Sequence, residues 1–501
     1  MENTNKNTSK TAIIVAVLGI ISYISLLFGD NLWMDEAFSA MIVKGSFARM
    51  LQSSNSDTLP PLYNILNWCM TQIFGFNSPS LRIMSVLPMT GCLILSATVI
   101  RKKLGDWVSI IFSLCMAGAP QLFFYGTEIR MYALSLFLVT LCLCSVLDAP
   151  VFSKRDRILF ILSAALCGWT HHFALVAASF ICLYVLILSL LHRKEDTSHI
   201  KNTLLSFAGI ALLYIPCFIN TLQQMKRVTG YFSMPDTDIH TVISCLKQPF
   251  ITENTIMSLL LLLMFLCALI FGIYLFIKNK DRLCLTGLIF ISLYPLVMLF
   301  GFLAVLILKS NIFSQRYLIP ALGAFWLGFS ILTVRGYEHF RDMITAKERT
   351  SPKKYRMSNE MKTSFISIVK PYQYLSAAII CILVAISIHS YILTFSKEYD
   401  QGVKQMRAYF NENVKEGDKY LIIEDNYERE IAFRYYFPGF EKTDWDKISE
   451  NETGTLWYIE VPGYSDKLDI ITEHGYDYKL AGEFKFDRYE FKLYKLQKWN
   501  F

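Results

Sequence analysis

Long apolar runs parted by short charged segments dominate this chain, and their lengths predict its elements. An α-helix rises 1.5 Å per residue, so about 17–25 apolar residues cross a hydrocarbon core about 30 Å thick. Runs of that kind fall at 11–28, 81–100, 107–124, 131–147, 158–169, 173–191, 203–219, 255–277, 283–308, 317–334 and 374–394. They predict about eleven spans, the fifth being short. The first follows a polar tail holding Lys6 and Lys10 and leads into Gly29, Asp30 and Asn31 with no small-residue cleavage site, so a retained span is expected rather than a signal peptide.

Two stretches break this rhythm. Residues 29–80 are too apolar for a free loop, and 37–50 and 62–74 suit helices lying along the interface, with Trp33, Tyr63 and Trp68 at headgroup depth. Residues 396–501 are polar and predict a small α/β domain. It should hold a helix near 403–414, strands at 420–423, 432–437 and 455–459, and a closing hairpin over 483–496, where Phe484, Phe486, Tyr489, Phe491 and Tyr494 alternate with charges. The expected organisation is a transmembrane domain over 1–395, with an outer loop at 29–80 and a basic linker at 335–372, followed by an accessory domain over 396–501.

Composition supports the membrane reading. Of 501 residues, 53% are hydrophobic and 14% aromatic, and the mean hydropathy is +0.38, too apolar for a soluble enzyme. The formal charge of +7 does not suggest nucleic acid, because the basic residues sit in short clusters between spans. With a cytoplasmic N-terminus, the loops on that side hold Arg101 to Lys103, Lys154 to Arg157, Arg193 to Lys201, Lys278 to Arg282 and the linker, while the opposite loops are poor in Lys and Arg. The positive-inside rule then predicts one orientation throughout, and an odd number of spans places 396–501 outside the cytoplasm. The linker is expected to be a solvated loop touching anionic headgroups. Most of the 12 cysteines, such as Cys92, Cys115, Cys142, Cys167, Cys267 and Cys381, lie in apolar runs and suit small buried hydrophobes; no Cys/His spacing suggests zinc.

Ionisable residues are missing from the middle of almost every span, where transporters keep them. They gather at the predicted outer ends: Asp35 and Glu36, Arg82, Glu128 and Arg130, His171 and His172, and Arg316. The acidic pair stands in the run Trp33, Met34, Asp35, Glu36, Ala37, Phe38. A carboxylate there suits removal of an acceptor's proton while an anomeric carbon becomes electron-poor; an acidic pair equally suits the first turn of a helix. The run Tyr125 to Leu134 joins two spans by a tight turn with Thr127 as expected N-cap, fixing Glu128 and Arg130 on rigid backbone. Those two charges also suit an internal ion pair at a span end. The segments 169–173 and 311–318 add His171, His172, Arg316 and Tyr317 at the depth where a leaving phosphate gains charge, although an interfacial His is commonly a structural hydrogen-bonding residue.

Together these segments resemble the GT-C membrane glycosyltransferases of the protein O-mannosyltransferase and lipid A aminoarabinose transferase type. The matching pieces are Trp33 to Phe38, Pro60-Pro61-Leu62-Tyr63, Arg82, the Tyr-x-x-Glu-x-Arg-x-Tyr-Ala-Leu run from Tyr125 to Leu134, Thr170 to Phe173, and Arg316 with Tyr317. They stand in the family's order. The resemblance implies a polytopic α-helical membrane protein of GT-C type with a small extracytoplasmic α/β domain. It implies an inverting transfer of a sugar from a polyprenyl-phosphate carrier to an acceptor hydroxyl or phosphate at the outer face, with no cofactor beyond the donor, no metal and no nucleotide-sugar site. Membrane lipid, the lipid-linked sugar and a glycan, lipid or protein acceptor would be its partners. Carried over, Asp35 is the candidate base with Glu36 beside it, and Glu128 and Arg130 shape the sugar and acceptor pocket. Arg316 with Tyr317, together with Tyr132, His171 and His172, faces the substrates. Relatives often have His or Lys immediately before the two prolines; Leu59 stands there in this chain, which shifts phosphate binding toward Arg82 or Arg316.

Two other classes share some of these features. A lipid or glycan transporter or flippase has many spans, but inverted repeats, paired broken spans and midplane charges do not stand out here. A binding protein working through its C-terminal domain would not need so many spans as an anchor.

Overall fold

The computed structural model describes residues 2–194, 196–231, 238–350, 371–421, 427–448, 454–460, 468–486 and 489–498. Among them, 8 helical stretches are long and apolar enough to cross a membrane: Asn7–Ser25, Ser78–Leu104, His172–Leu191, Ser198–Gln224, Thr255–Asn279, Arg282–Leu308, Gln315–Ala346 and Gln373–Asn413. Shorter helices at Asp106–Met116, Tyr132–Ser145 and Lys154–Thr170 stand at the remaining expected spans. The chain is a multi-pass membrane protein. Its bundle presents Leu212, Ile215, Leu263, Ile270 and Leu306 on the outside, as a surface solvated by lipid does. Cys267 and Cys381 also face outward, against expectation, because a helix in lipid is apolar all round and apolarity does not say which face is inside.

The expected span at 107–124 is broken. Pro120 has no N–H with which to continue a helix, and Gln121 takes a left-handed conformation at φ 66°. The helix therefore stops at Met116, and a short helix, Leu122–Thr127, crosses the end of the bundle. Thr127 closes that helix with its hydroxyl bonded back to the Phe123 carbonyl at 3.0 Å, so it is not the N-cap expected for the next one. The interfacial helix expected over 37–50 is likewise two, Met34–Val43 and Phe47–Ser56, parted at Gly45, whose φ of 111° disfavours any side chain. Leu62–Phe74 forms as predicted, directly behind Pro60 and Pro61.

One helix organises the bundle. The stretch opening at Gln315 runs through its middle, with Trp326, Phe329 and Leu332 fully enclosed. It continues as helix to Thr350, beyond the expected end at 334, while 351–370 of the linker lie outside the described residues. At one end of the bundle the basic clusters pair: Lys103 with Asp148 at 2.7 Å and Asp156 at 3.3 Å, and Arg335 with Asp281. The helix that carries Lys103 begins at the opposite end with Arg82, and the candidate residues gather there.

The C-terminal part contains β1 (Lys419–Leu421), β2 (Glu441–Lys442), β3 (Leu456–Glu460), β4 (Tyr476–Phe486) and β5 (Tyr489–Lys498). They form one mixed sheet in the order β2-β1-β3-β5-β4, parallel from β2 to β3 and antiparallel beyond. The helix Gly402–Asn413 and the closing hairpin form where predicted. The strand expected at 432–437 does not: Tyr427–Tyr436 is a helix. Its aromatic residues favour a strand by propensity, but Phe433 and Phe437 recur at helical spacing and pack against Phe410, with Phe433 also against Tyr420. This part is not a free appendage. Val403, Phe410, Phe433 and Phe491 share one core with Leu32, Ala37, Leu81 and Ile129. The Tyr436 hydroxyl accepts the Leu32 N–H at 2.9 Å and donates to the Leu32 carbonyl.

Candidate active site

The site is built on the first turn of Met34–Val43. Glu36 accepts the Trp33 N–H at 3.0 Å through Oε2 and the Ile129 N–H at 2.9 Å through Oε1, so one carboxylate caps its own helix and ties it to the turn at 128–131. Burial pushes the Glu36 carboxyl upward, and Arg82 with the two N–H donors pulls it back. Arg82 is completely enclosed. Nε donates to the Gly29 carbonyl at 3.2 Å, Nη1 to that of Thr127 at 3.1 Å with Glu36 at 3.6 Å, and Nη2 to that of Asn31 at 2.7 Å with Glu398 also at 2.7 Å. Every edge of the guanidinium meets an internal acceptor, so Arg82 ties the outer loop, the short crossing helix and the last span together.

Asp35 turns the other way. Its Oδ2 pairs with Arg316 Nη1, and the Arg316 guanidinium lies 5.9 Å from the Trp33 ring. Trp33 Nε1 donates to Glu128 Oε1 at 2.8 Å, and Arg130 Nη1 donates to Ser39 Oγ at 3.2 Å. Tyr132 lies 5.9 Å from His171, which lies 5.1 Å from Tyr317. His171 caps the helix His172–Leu191 by accepting the Phe173 N–H on Nδ1 at 3.1 Å, which leaves Nε2 to the cluster. Asp35, Glu128, Arg130, Tyr132, His171, Arg316 and Tyr317, spread over the first two-thirds of the chain, thus meet at one place. His172 stands slightly apart, with Nε2 3.1 Å from the Thr58 carbonyl.

Five buried polar atoms of this cluster have no hydrogen-bond partner among the described residues: Glu128 Oε2, Arg130 Nε, Tyr132 Oη, His171 Nε2 and Arg316 Nε. Leaving one such group unsatisfied costs about 1–3 kcal/mol, and a concentration of them fits a polar ligand site. Burial, reinforced by the Glu36 carboxylate and opposed by Arg130, pushes the Glu128 carboxyl up to about 8. Burial, with His172 and Arg130 nearby, holds His171 well below its ordinary value and hence neutral. Beside the cluster opens an apolar cavity of about 260 Å³, lined by Leu59, His171, His172, Phe173, Phe300 and Tyr317. Gln224 holds one wall by donating to the Asp57 and Leu59 carbonyls at 3.1 and 2.8 Å. Sequence reasoning missed Gln224, Glu398 and the Trp33 indole as parts of the site. Their partners lie far away in the chain, and only the Trp33 motif could have pointed to one of them.

Helices crossing the membrane, paired interfacial helices after the first span and a terminal mixed sheet seated on them define an ArnT-like fold of the GT-C type. No family model matches the chain, and no curated protein matches it. ArnT from Cupriavidus metallidurans in the apo state superposes with a TM-score of 0.61 at 10% identity, covering 96% of this chain and 97% of that one. The structure of the same enzyme bound to undecaprenyl phosphate gives 0.58 over the same shares. The archaeal oligosaccharyltransferase AglB from Archaeoglobus fulgidus, in complex with an inhibitory peptide and a dolichol-phosphate, gives 0.50 at 11% identity over 85% and 63%. At these identities the likeness is one of fold.

Proposed function

We propose that the chain is an inverting glycosyltransferase that takes its sugar from a polyprenyl-phosphate carrier and hands it to an acceptor hydroxyl or phosphate at the outer face of the membrane. The observation that carries this reading is the cluster of unsatisfied buried donors around the Asp35–Arg316 pair. Such donors suit a phosphate and a sugar, and the adjoining apolar cavity suits the first isoprene units. The solved ArnT structure with undecaprenyl phosphate supports a lipid of this class. For a hydroxyl acceptor, Asp35 removes the proton as the oxygen bonds to the anomeric carbon. The bond from that carbon to the phosphate oxygen breaks, and its electron pair leaves with the polyprenyl phosphate. Arg316 and Arg130 receive the charge that develops there. One displacement inverts the anomeric configuration.

Glu36 and Arg82 are positioning residues in this scheme: they hold Asp35 and the turn at 128–131 in register and touch no substrate. Protonated Glu128, Tyr132, neutral His171 and Tyr317 line the sugar pocket, with His172 at the lipid side. In this reading the N-terminus is cytoplasmic and the terminal domain lies outside, which the distribution of loop charges supports. The test is to incubate the purified protein with a panel of polyprenyl-phosphate sugars and measure release of free polyprenyl phosphate. Release with at least one donor is expected; flipping of the lipid without release from any of them would turn the reading toward a transporter.

A further inference from the structure

Glu128 has two carboxyl oxygens in unlike surroundings, and one residue of the first interfacial helix makes the difference. Trp33 is the N-cap of Met34–Val43; its own N–H is held by Glu36 Oε2 at 3.0 Å, and its carbonyl accepts the Ala37 N–H at 2.9 Å. With the backbone fixed on both sides, the indole reaches across to the turn at 128–131 and donates from Nε1 to Glu128 Oε1 at 2.8 Å. Glu128 Oε2 is buried and has no hydrogen-bond partner among the described residues. An indole N–H can only donate, so the oxygen it meets must accept, and a neutral carboxyl then carries its proton on the other oxygen, Oε2. Burial favours that neutral form. The groups facing Glu128 are Asp35 and Glu36 from the same interfacial helix, Tyr63 from Leu62–Phe74, Arg130 and Tyr132 from its own turn and the helix that follows, and Arg316 from the central stretch. The two arginines favour ionisation and the two carboxylates oppose it.

We propose, resting on the glycosyltransferase reading, that Trp33 is a positioning residue for sugar recognition: its indole fixes Oε1 of Glu128, so that the Oε2 hydroxyl is presented as a donor to an oxygen of the donor lipid's sugar. The Arg316 guanidinium lies 5.9 Å from the ring of the same indole. One side chain thus sets the direction of the acid with its N–H and meets the phosphate-binding cation with its ring. An amide at position 128 would keep an acceptor for the indole and place an N–H where the hydroxyl stood; a hydrocarbon there would keep neither.

Trp33→Phe retains a ring beside Arg316 and removes only the N–H. A hydrogen bond to a carboxyl strengthens when the carboxyl ionises, so its loss should let Glu128 hold its proton to higher pH. Infrared titration in detergent without any donor, with the Glu128 C=O band assigned by its absence from Glu128→Gln, should show the midpoint of Trp33→Phe raised by about one pH unit. A Trp33 that merely fills space would, when replaced, admit water to Glu128 and lower the midpoint; a lowered or unchanged midpoint overturns the proposal. With a donor that the wild type accepts, Trp33→Phe should raise KM severalfold and nearly keep kcat, and it should raise KM no further in a Glu128→Leu background. Independently of any change at Trp33, Glu128→Gln should keep the wild-type KM while Glu128→Leu raises it; equal KM values for these two variants would contradict donation from Oε2. Because the titration needs no donor, its failure is distinguishable from that of the glycosyltransferase reading, which rests on polyprenyl phosphate release.

Discussion

Asp35 and Glu36 are neighbours in sequence with opposite duties, and so, across the site, are Asp35 and Glu128. Glu36 spends both oxygens on backbone N–H groups, while Asp35 faces Arg316. Glu128 sits among Glu36, Asp35, Arg130 and Arg316, and its burial outweighs the cations. With its value raised to about 8, Glu128 adds stability that is complete below the ordinary carboxyl value of 4.5 and is lost as pH rises through about 8. Above that pH an ionised Glu128 opposes the donor phosphate, so transfer should fall on the alkaline side. In Glu128→Gln, a permanently neutral group, that fall should disappear from the kcat/KM profile; an unchanged alkaline limb would show that another group titrates. Arg316→Ala should raise the KM for the donor severalfold or more and slow leaving-group departure. An unchanged dependence on donor concentration would refute its phosphate role. The motif residues were legible in the sequence because their spacing is local. The internal employment of Arg82 was not, since its acceptors come from Gly29, Asn31, Thr127 and Glu398.

Most elements followed from hydrophobic run length, and the misses have local causes. A run of apolar residues does not reveal a break when the break lies in backbone geometry, as at Pro120 and Gln121, or at Gly45. The aromatic segment 432–437 favours a strand by residue type, and tertiary packing on Phe410 decides for a helix. The short crossing helix Leu122–Thr127 shapes the site, because it delivers the turn holding Glu128 and Arg130 to the first interfacial helix. Arg82 is the pin of that assembly. Arg82→Met would take the guanidinium away from the buried carboxylates of Glu36 and Glu398, a loss on the order of 3–5 kcal/mol. The variant should melt markedly lower in detergent, and its folded fraction should keep the wild-type KM for the donor. An unaltered melting temperature with a raised KM would instead make Arg82 a phosphate ligand.

At the scale of the whole molecule, one end of the bundle carries paired basic clusters and the other carries the site, roofed by the terminal domain. The charge asymmetry between loops was visible in the sequence, whereas the common core joining residues 32–50 to residues 403–493 was not, because neither half shows its partner. A reporter fused after Phe501 should be active only when it functions outside the cytoplasm; activity of a cytoplasmic reporter there would reverse the proposed orientation. In the proposed mechanism Asp35 takes the acceptor's proton within a preformed donor site. The most direct test is Asp35→Asn, with donor affinity and polyprenyl phosphate release measured on the same preparation. Retained binding with release reduced by about three orders of magnitude or more is expected; near-normal release would rule Asp35 out as the base.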